Sequence, residues 1–481
     1  MSSSTMGQVL GIGVMVVAVA AVVVTSGLHA PVSATAGTAA ATSAAPYLQD
    51  IETGADHVGA DELARELLAA RGDVVVVDVR PAEEFAAWHL PGARNLTVPE
   101  VVGAAGQQIL AGKPRLLVLC SNGPAHPAQA WVELRRQGHT NVRVLDGGLD
   151  AFKAKVLTPA SLQPGADEGQ IRAAAMGFAL RRAFFLAAAK PNSLAAWATD
   201  PAELTAPTVV STTWLQQRLG RVAIVDAREK VAEYADLHLP GAVHLPVAAL
   251  RSKVGDRDLH LLSPRELAAK FEAVGIARTT PVVIYAEDKM QDATMAALAF
   301  VQAGHSALAI LEGGLLRWAT EKRSLVADVP APAAVVYEPG RDAAVSLDTD
   351  QVAAQWRAGT AILDVRPAEG FTGAKSTEAR PGHIPGAKNR VFTKDLQRGD
   401  DGHWFRPRAE LEAEYGALGL RADQPVVVSC RTGHTASESY FVLRYLLGYR
   451  QAQFYNGSWT EWAARTDLPA AIGDGSKDER K

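Results

Sequence analysis

Three times along 481 residues an apolar run ends in Asp-x-Arg, and this repetition limits the chain to a tandem of like units. The runs are Val74–Val77 before Asp78-Val79-Arg80, Val222–Val225 before Asp226-Ala227-Arg228, and Ala361–Leu363 before Asp364-Val365-Arg366. Each reads as a buried parallel strand whose carboxyl end carries polar side chains into a crevice. A tight Pro-Gly turn follows in every copy, within His89–Ala93, His238–Ala242 and His383–Ala387. A second apolar run comes next, at Leu116–Leu119, Val282–Tyr285 and Val426–Ser429. After a helical stretch, a third strand closes each copy on Gly147-Gly148, Gly313-Gly314 or Gly457-Ser458. Strands alternating with helices predict doubly wound α/β domains with central parallel sheets, whose ligands bind beyond the strands' carboxyl ends. The length agrees, at about 150 residues per domain.

Counting sets the copies in register. Cys120 stands 27 positions before Gly147, Cys430 stands 27 before Gly457, and the residue 27 before Gly313 is Ala286. The expected domains are 48–158, 206–328 and 340–470. They are joined by a helical connector over 159–205 and a Pro-rich linker over 329–339, with a polar tail over 471–481.

The first 47 residues differ in kind. Val9–Leu28 carries no charge, and a tract of small residues follows from Ala30 to Ala45. This predicts a secretion signal or membrane anchor, hence export to the periplasmic side, although no Lys or Arg precedes Arg65. A membrane is expected as a partner only through this segment, if it stays uncleaved.

A net charge of −4 and 6% aromatic residues leave no footprint for nucleic acid. Two cysteines cannot build a disulfide framework or a cysteine-rich metal site, and the histidines match no ligand spacing. No metal or other cofactor is expected. If a cysteine matters, it matters as a thiol. Cys430 lies between a buried strand and a helix beginning near Ala436, where backbone N–H groups and the helix dipole favour thiolate. Gly433 lets the loop curl, Thr432 and Thr435 offer hydroxyls, and Arg431 adds a fixed charge. Arg366 leaves the neighbouring strand toward the same crevice. Such a site suits an anion carrying a transferable soft atom. In the second copy Ala286-Glu287-Asp288 offers no nucleophile and would repel an anion. In the first, Cys120 is a possible second site, but Pro124 and Pro127 remove backbone donors from its loop. The Cys-x5-Arg spacing of phosphatases is absent, since Ala436 and His126 stand at that distance.

The Asp-x-Arg strand end, the His383-Ile-Pro-Gly-Ala387 turn, the loop Cys430–Ser437 and the closing Tyr455–Trp462 segment resemble the rhodanese family. The resemblance spans about residues 60–465 and implies sulfur transfer from thiosulfate or 3-mercaptopyruvate through a persulfide on Cys430. It implies Arg431, Thr432, Gly433, His434 and Thr435 as the substrate cradle, with Arg366 and Arg380 as anion contacts. The partners it implies are a small sulfur donor and a thiol or cyanide acceptor, with a protein acceptor as a further prospect. The loop's Cys-Arg-Thr-Gly start matches neither Cys-Arg-Lys-Gly nor Cys-Gly-Ser-Gly, the starts usual for the two donor types. A non-enzymatic alternative is a persulfide carrier or redox binding module.

Overall fold

A computed structural model describes residues 45–158, 178–186, 197, 200–254, 257–287, 289–340, 345–399 and 402–475. The apolar stretch 9–28 and the tract 30–44, on which the export expectation rests, lie outside the described residues. Among the described residues no helix is long and apolar enough to cross a membrane.

Nineteen strands are described. The first domain holds β1 (His57–Val58), β2 (Val74–Asp78), β3 (Arg94–Asn95), β4 (Leu116–Cys120) and β5 (Val142–Leu145). The second holds β6 (Thr208–Val210), β7 (Ala223–Asp226), β8 (Ala242–His244), the pair β9 (Arg251–Val254) and β10 (Arg257–Leu261), β11 (Val282–Tyr285) and β12 (Leu308–Leu311). The third holds β13 (Ser346–Leu347), β14 (Ala361–Asp364), β15 (Lys388–Asn389), the pair β16 (Leu396–Gly399) and β17 (Gly402–Phe405), β18 (Val426–Ser429) and β19 (Ala452–Tyr455). Three five-stranded parallel sheets result, ordered β1-β5-β4-β2-β3, β6-β12-β11-β7-β8 and β13-β19-β18-β14-β15. The doubly wound architecture expected from the repeat is therefore present three times. The hairpins β9–β10 and β16–β17 are antiparallel and stand outside the sheets.

The central domain is buried from both sides, and its strands show it residue by residue. Val282, Ile284, Leu308 and Ile310 enter a core shared with Leu363, Val365, Val428 and Phe441 of the third domain. Their neighbours Val283, Tyr285, Ala309 and Leu311 enter a second core shared with Val76, Val118 and Phe152 of the first. Alternation of side chains along a strand thus sends one face to each neighbour. The helix Met290–Gln302 is buried on nearly every side because it lies between its own sheet and the helix Ala436–Phe441 of the third domain. Of the expected connector, residues 178–186 are helical, and Leu180, Phe184 and Phe185 join the second core.

The sheets correct the register of the first copy. Asp78 pairs with Cys120, Asp226 with Tyr285, and Asp364 with Ser429. Cys120 is therefore the counterpart of Tyr285 and Ser429, and Ser121 is the counterpart of Ala286 and Cys430. The loop carbonyls agree: Ser121 accepts from Leu149, Ala286 from Leu315, and Cys430 from Trp459. Counting back from the glycine misplaced Cys120 because the segment from that position to the glycine is one residue shorter in the first copy.

Candidate active site

Cys430 is the first residue past β18, at the carboxyl edge of the third sheet, and is 2% exposed. Its N–H donates to Ser458 Oγ at 3.0 Å, and Ser458 Oγ donates in turn to the Tyr455 carbonyl at 2.7 Å. Ser458 holds a left-handed backbone at φ +50°, where the other two copies place Gly148 and Gly314. Gly433 has φ +83°, and a Cβ there would stand 2.4 Å from the Asn456 carbonyl oxygen. Only glycine lets the loop close over the turn after β19.

From Arg431 to Ala436, none of the six backbone N–H groups donates to an acceptor among the described residues. Gly433 and Ala436 are buried and the other four residues half-buried or exposed, and a run of unengaged amides beside a buried thiol has the chemistry to hold an anion. The loop opens on a cleft of about 400 Å³ lined in part by Arg431, Thr435, Phe392 and the strip Lys375–Glu378. The Arg431 side chain is 56% exposed at its mouth, with only long contacts of 3.5 Å to Thr377 and 3.9 Å to Glu378. Its charge faces the cleft.

The other two predicted anion contacts differ: Arg366 lines the cleft and Arg380 does not. Arg366 donates through Nε and Nη2 to Asp364, through Nη1 to the Gly370 carbonyl at 3.0 Å and through Nη2 to the Gly382 carbonyl at 2.8 Å. It stacks 5.0 Å from the Trp459 ring, so it reaches the cleft wall with one N–H to spare. Arg80 and Arg228 bind their own aspartates in the same way, and this repetition marks a scaffold pair. Arg380 binds the carbonyls of Trp462, Ala463, Arg465 and Leu468 and caps the helix Ser458–Ala464. As an anion contact it is corrected: four of its five N–H groups bond to carbonyls at a helix end, and it does not line the cleft. His434 turns to the second domain, where its Nε2 lies 2.8 Å from Asp292 Oδ1. Thr432 faces the same domain with its carbonyl, which accepts from Arg251.

Cys120 is 1% exposed and lies within β4. Burial, with Asp78 beside it, pushes its thiol well above the usual range, and Arg80 only partly offsets this. The loop after it has Pro124 without an N–H and Gly123 donating to Ser121 Oγ. The geometry disfavours a thiolate there. In the second copy Ala286 occupies the position of Cys430; Asp288 lies outside the described residues.

Sequence reading passed over Ser458, Asp292 and Arg251. Ser458 had a signal, a serine where the other two copies have the second glycine. The other two act from a neighbouring domain and had none.

The fold and the loop define a tandem of parallel α/β domains built around one loop thiol. The rhodanese-like domain family model matches residues 60–155, 211–321 and 348–465, and the chain belongs to that family. A putative thiosulfate sulfurtransferase of Synechococcus elongatus is 32% identical over 288 residues, 58% of this chain and 89% of the relative. Sulfur carrier protein TtuD of Thermus thermophilus is 34% identical over 281 residues, 55% of this chain and 97% of the relative. A 3-mercaptopyruvate sulfurtransferase of Escherichia coli is 30% identical over 276 residues, covering 54% and 96%. Among solved structures, YnjE matches with a TM-score of 0.50 at 19% identity, covering 88% of this chain and 98% of that one, a likeness of fold. The relatives support sulfur transfer in general.

Proposed function

We propose that this chain moves sulfane sulfur from thiosulfate or a related donor to a thiophilic acceptor through a persulfide on Cys430. The observation that carries the reading is the buried thiol beside six N–H groups that are unengaged among the described residues. The Cys430 thiolate attacks the outer sulfur of thiosulfate, the S–S bond of the donor breaks, and sulfite leaves with the electron pair. Cyanide or a thiolate then takes the outer sulfur as thiocyanate or a new persulfide, and Cys430 returns as thiolate. Two half-reactions predict ping-pong kinetics. The amides of Arg431, Thr432, Gly433, His434 and Thr435 hold the charge of the donor and the persulfide. Arg431 draws the anion in, so Arg431→Ala slows persulfide formation at low donor concentration. The test is turnover with cyanide, read as thiocyanate, for thiosulfate and 3-mercaptopyruvate side by side.

The name of TtuD favours a second reading, a persulfide carrier. Persulfide loading without thiocyanate turnover, but with delivery to a protein acceptor, would select it. We also propose that the protein is exported through its first 47 residues; cell fractionation checks this, and full-length protein with Met1 intact in the cytoplasm contradicts it.

A further inference from the structure

The second and third domains each reach across to the other's loop. Trp404, on β17 of the third domain, lies under Arg317 at 5.6 Å, and Gly402 packs on the Gly313 carbonyl. In return Arg251, on β9 of the second domain, donates to the Thr432 carbonyl, and His260 on β10 meets Glu461. The helix Met290–Gln302 adds contacts with the third domain. Asp292, in its first turn and buried, has Oδ1 2.8 Å from His434 Nε2, a close polar contact without hydrogen-bond geometry. Thr294 Oγ1 meets Ser437 Oγ at 2.8 Å, and Ser437 Oγ also reaches the Gln291 carbonyl at 3.3 Å.

The contacts made by Arg251, Asp292, Thr294 and Gln291 all grip the Cys430 loop. Thr432 is held by its carbonyl, His434 by its ring and Ser437 by its hydroxyl, while the amides between them stay unengaged. A peptide whose carbonyl is fixed outward has its N–H turned the other way. We propose that the second domain, which has no thiol at its own site, positions the Cys430 loop through Asp292 and Arg251, so that its amides face the thiol and its persulfide. The proposal rests on Cys430 as the sulfur acceptor. Asp292 and Arg251 are positioning residues: they touch the loop, not the cleft.

The test uses the full chain with Cys120→Ser, so that alkylation by iodoacetamide reads Cys430 alone. Amides turned at a thiol stabilise its thiolate, so loosening the loop raises the pH midpoint of alkylation. Asp292→Asn keeps the size and removes the charge; Arg251→Met removes the donors, and Arg251→Lys restores one. Both Asp292→Asn and Arg251→Met are expected to move the midpoint up by about half a pH unit or more. They should also slow persulfide formation at pH 7 by about threefold or more. Arg251→Lys should recover part of both. Arg317→Gln, an interdomain contact remote from the loop, should lower the unfolding midpoint and leave the alkylation midpoint unchanged. An unchanged alkylation midpoint in Asp292→Asn, or an equal shift in Arg317→Gln, overturns the proposal. If Arg251→Met fails to fold, Asp292→Asn and Arg251→Lys decide alone. If thiosulfate leaves no sulfur on Cys430 of the parent, the sulfur-acceptor reading falls, while the alkylation midpoint still decides the positioning.

Discussion

Ser458 sits fully buried with φ +50°, a backbone that costs a non-glycine residue about 1–2 kcal/mol. Its hydroxyl offsets the cost by accepting from Cys430 and donating to Tyr455. Ser458→Ala keeps the backbone cost and leaves the Cys430 N–H buried without a partner, so a loss of about 1–3 kcal/mol is expected in denaturant unfolding. Ser458→Gly relieves the backbone and should lose less, yet both variants should load persulfide more slowly. A glycine variant less stable than the alanine variant contradicts this account. Arg380→Ala should cost about 2–3 kcal/mol by uncapping the helix Ser458–Ala464, with no change in apparent affinity for thiosulfate; a weakened affinity at unchanged stability would restore Arg380 to the anion site. At this scale Cys430 and its amides were legible in sequence, because a loop between strand and helix places them locally. Arg366 was placed at the cleft as expected, but the carbonyls that hold Arg380 come from residues 82 to 88 positions away and gave no signal.

Among elements, the buried strands were legible from their apolar runs, and the observed strands differ from those runs by a residue or so. Cys120 shows what such a residue changes. One position inside β4, it pairs with Asp78 in the sheet instead of facing a loop. The hairpins were illegible, since short polar stretches carry no periodicity. They nevertheless tie the second domain to the third, and the His260–Glu461 contact gives that tie a pH dependence. Hydrogen bonding to Glu461 raises His260 above its usual value, and His260 holds Glu461 below the usual carboxylate range. The raised histidine stabilises below about pH 6.5 and loses its effect as pH rises through its elevated value. The lowered carboxylate stabilises above about pH 4.5 and loses its effect as pH falls through its depressed value. The difference in unfolding midpoint between the parent and His260→Gln should therefore be largest near pH 5–6 and shrink toward pH 9. A difference that grows with pH contradicts the assignment.

Over the whole molecule, one domain supplies the thiol and another supplies part of its support. The first domain repeats the fold with a thiol set one position off and pushed toward its neutral form by burial. Composition and repeat length made the three-domain plan legible. The sharing of cores did not follow from them, because both faces of the second sheet are equally apolar. The central claim is that Cys430, and not Cys120, takes sulfur. Mass spectrometry of the protein after thiosulfate treatment tests it most directly. The account predicts an added mass of about 32 Da, one sulfur, on the peptide containing Cys430, and its loss together with turnover in Cys430→Ser. Sulfur found on the Cys120 peptide, or turnover that survives Cys430→Ser and disappears in a folded Cys120→Ser, would contradict it.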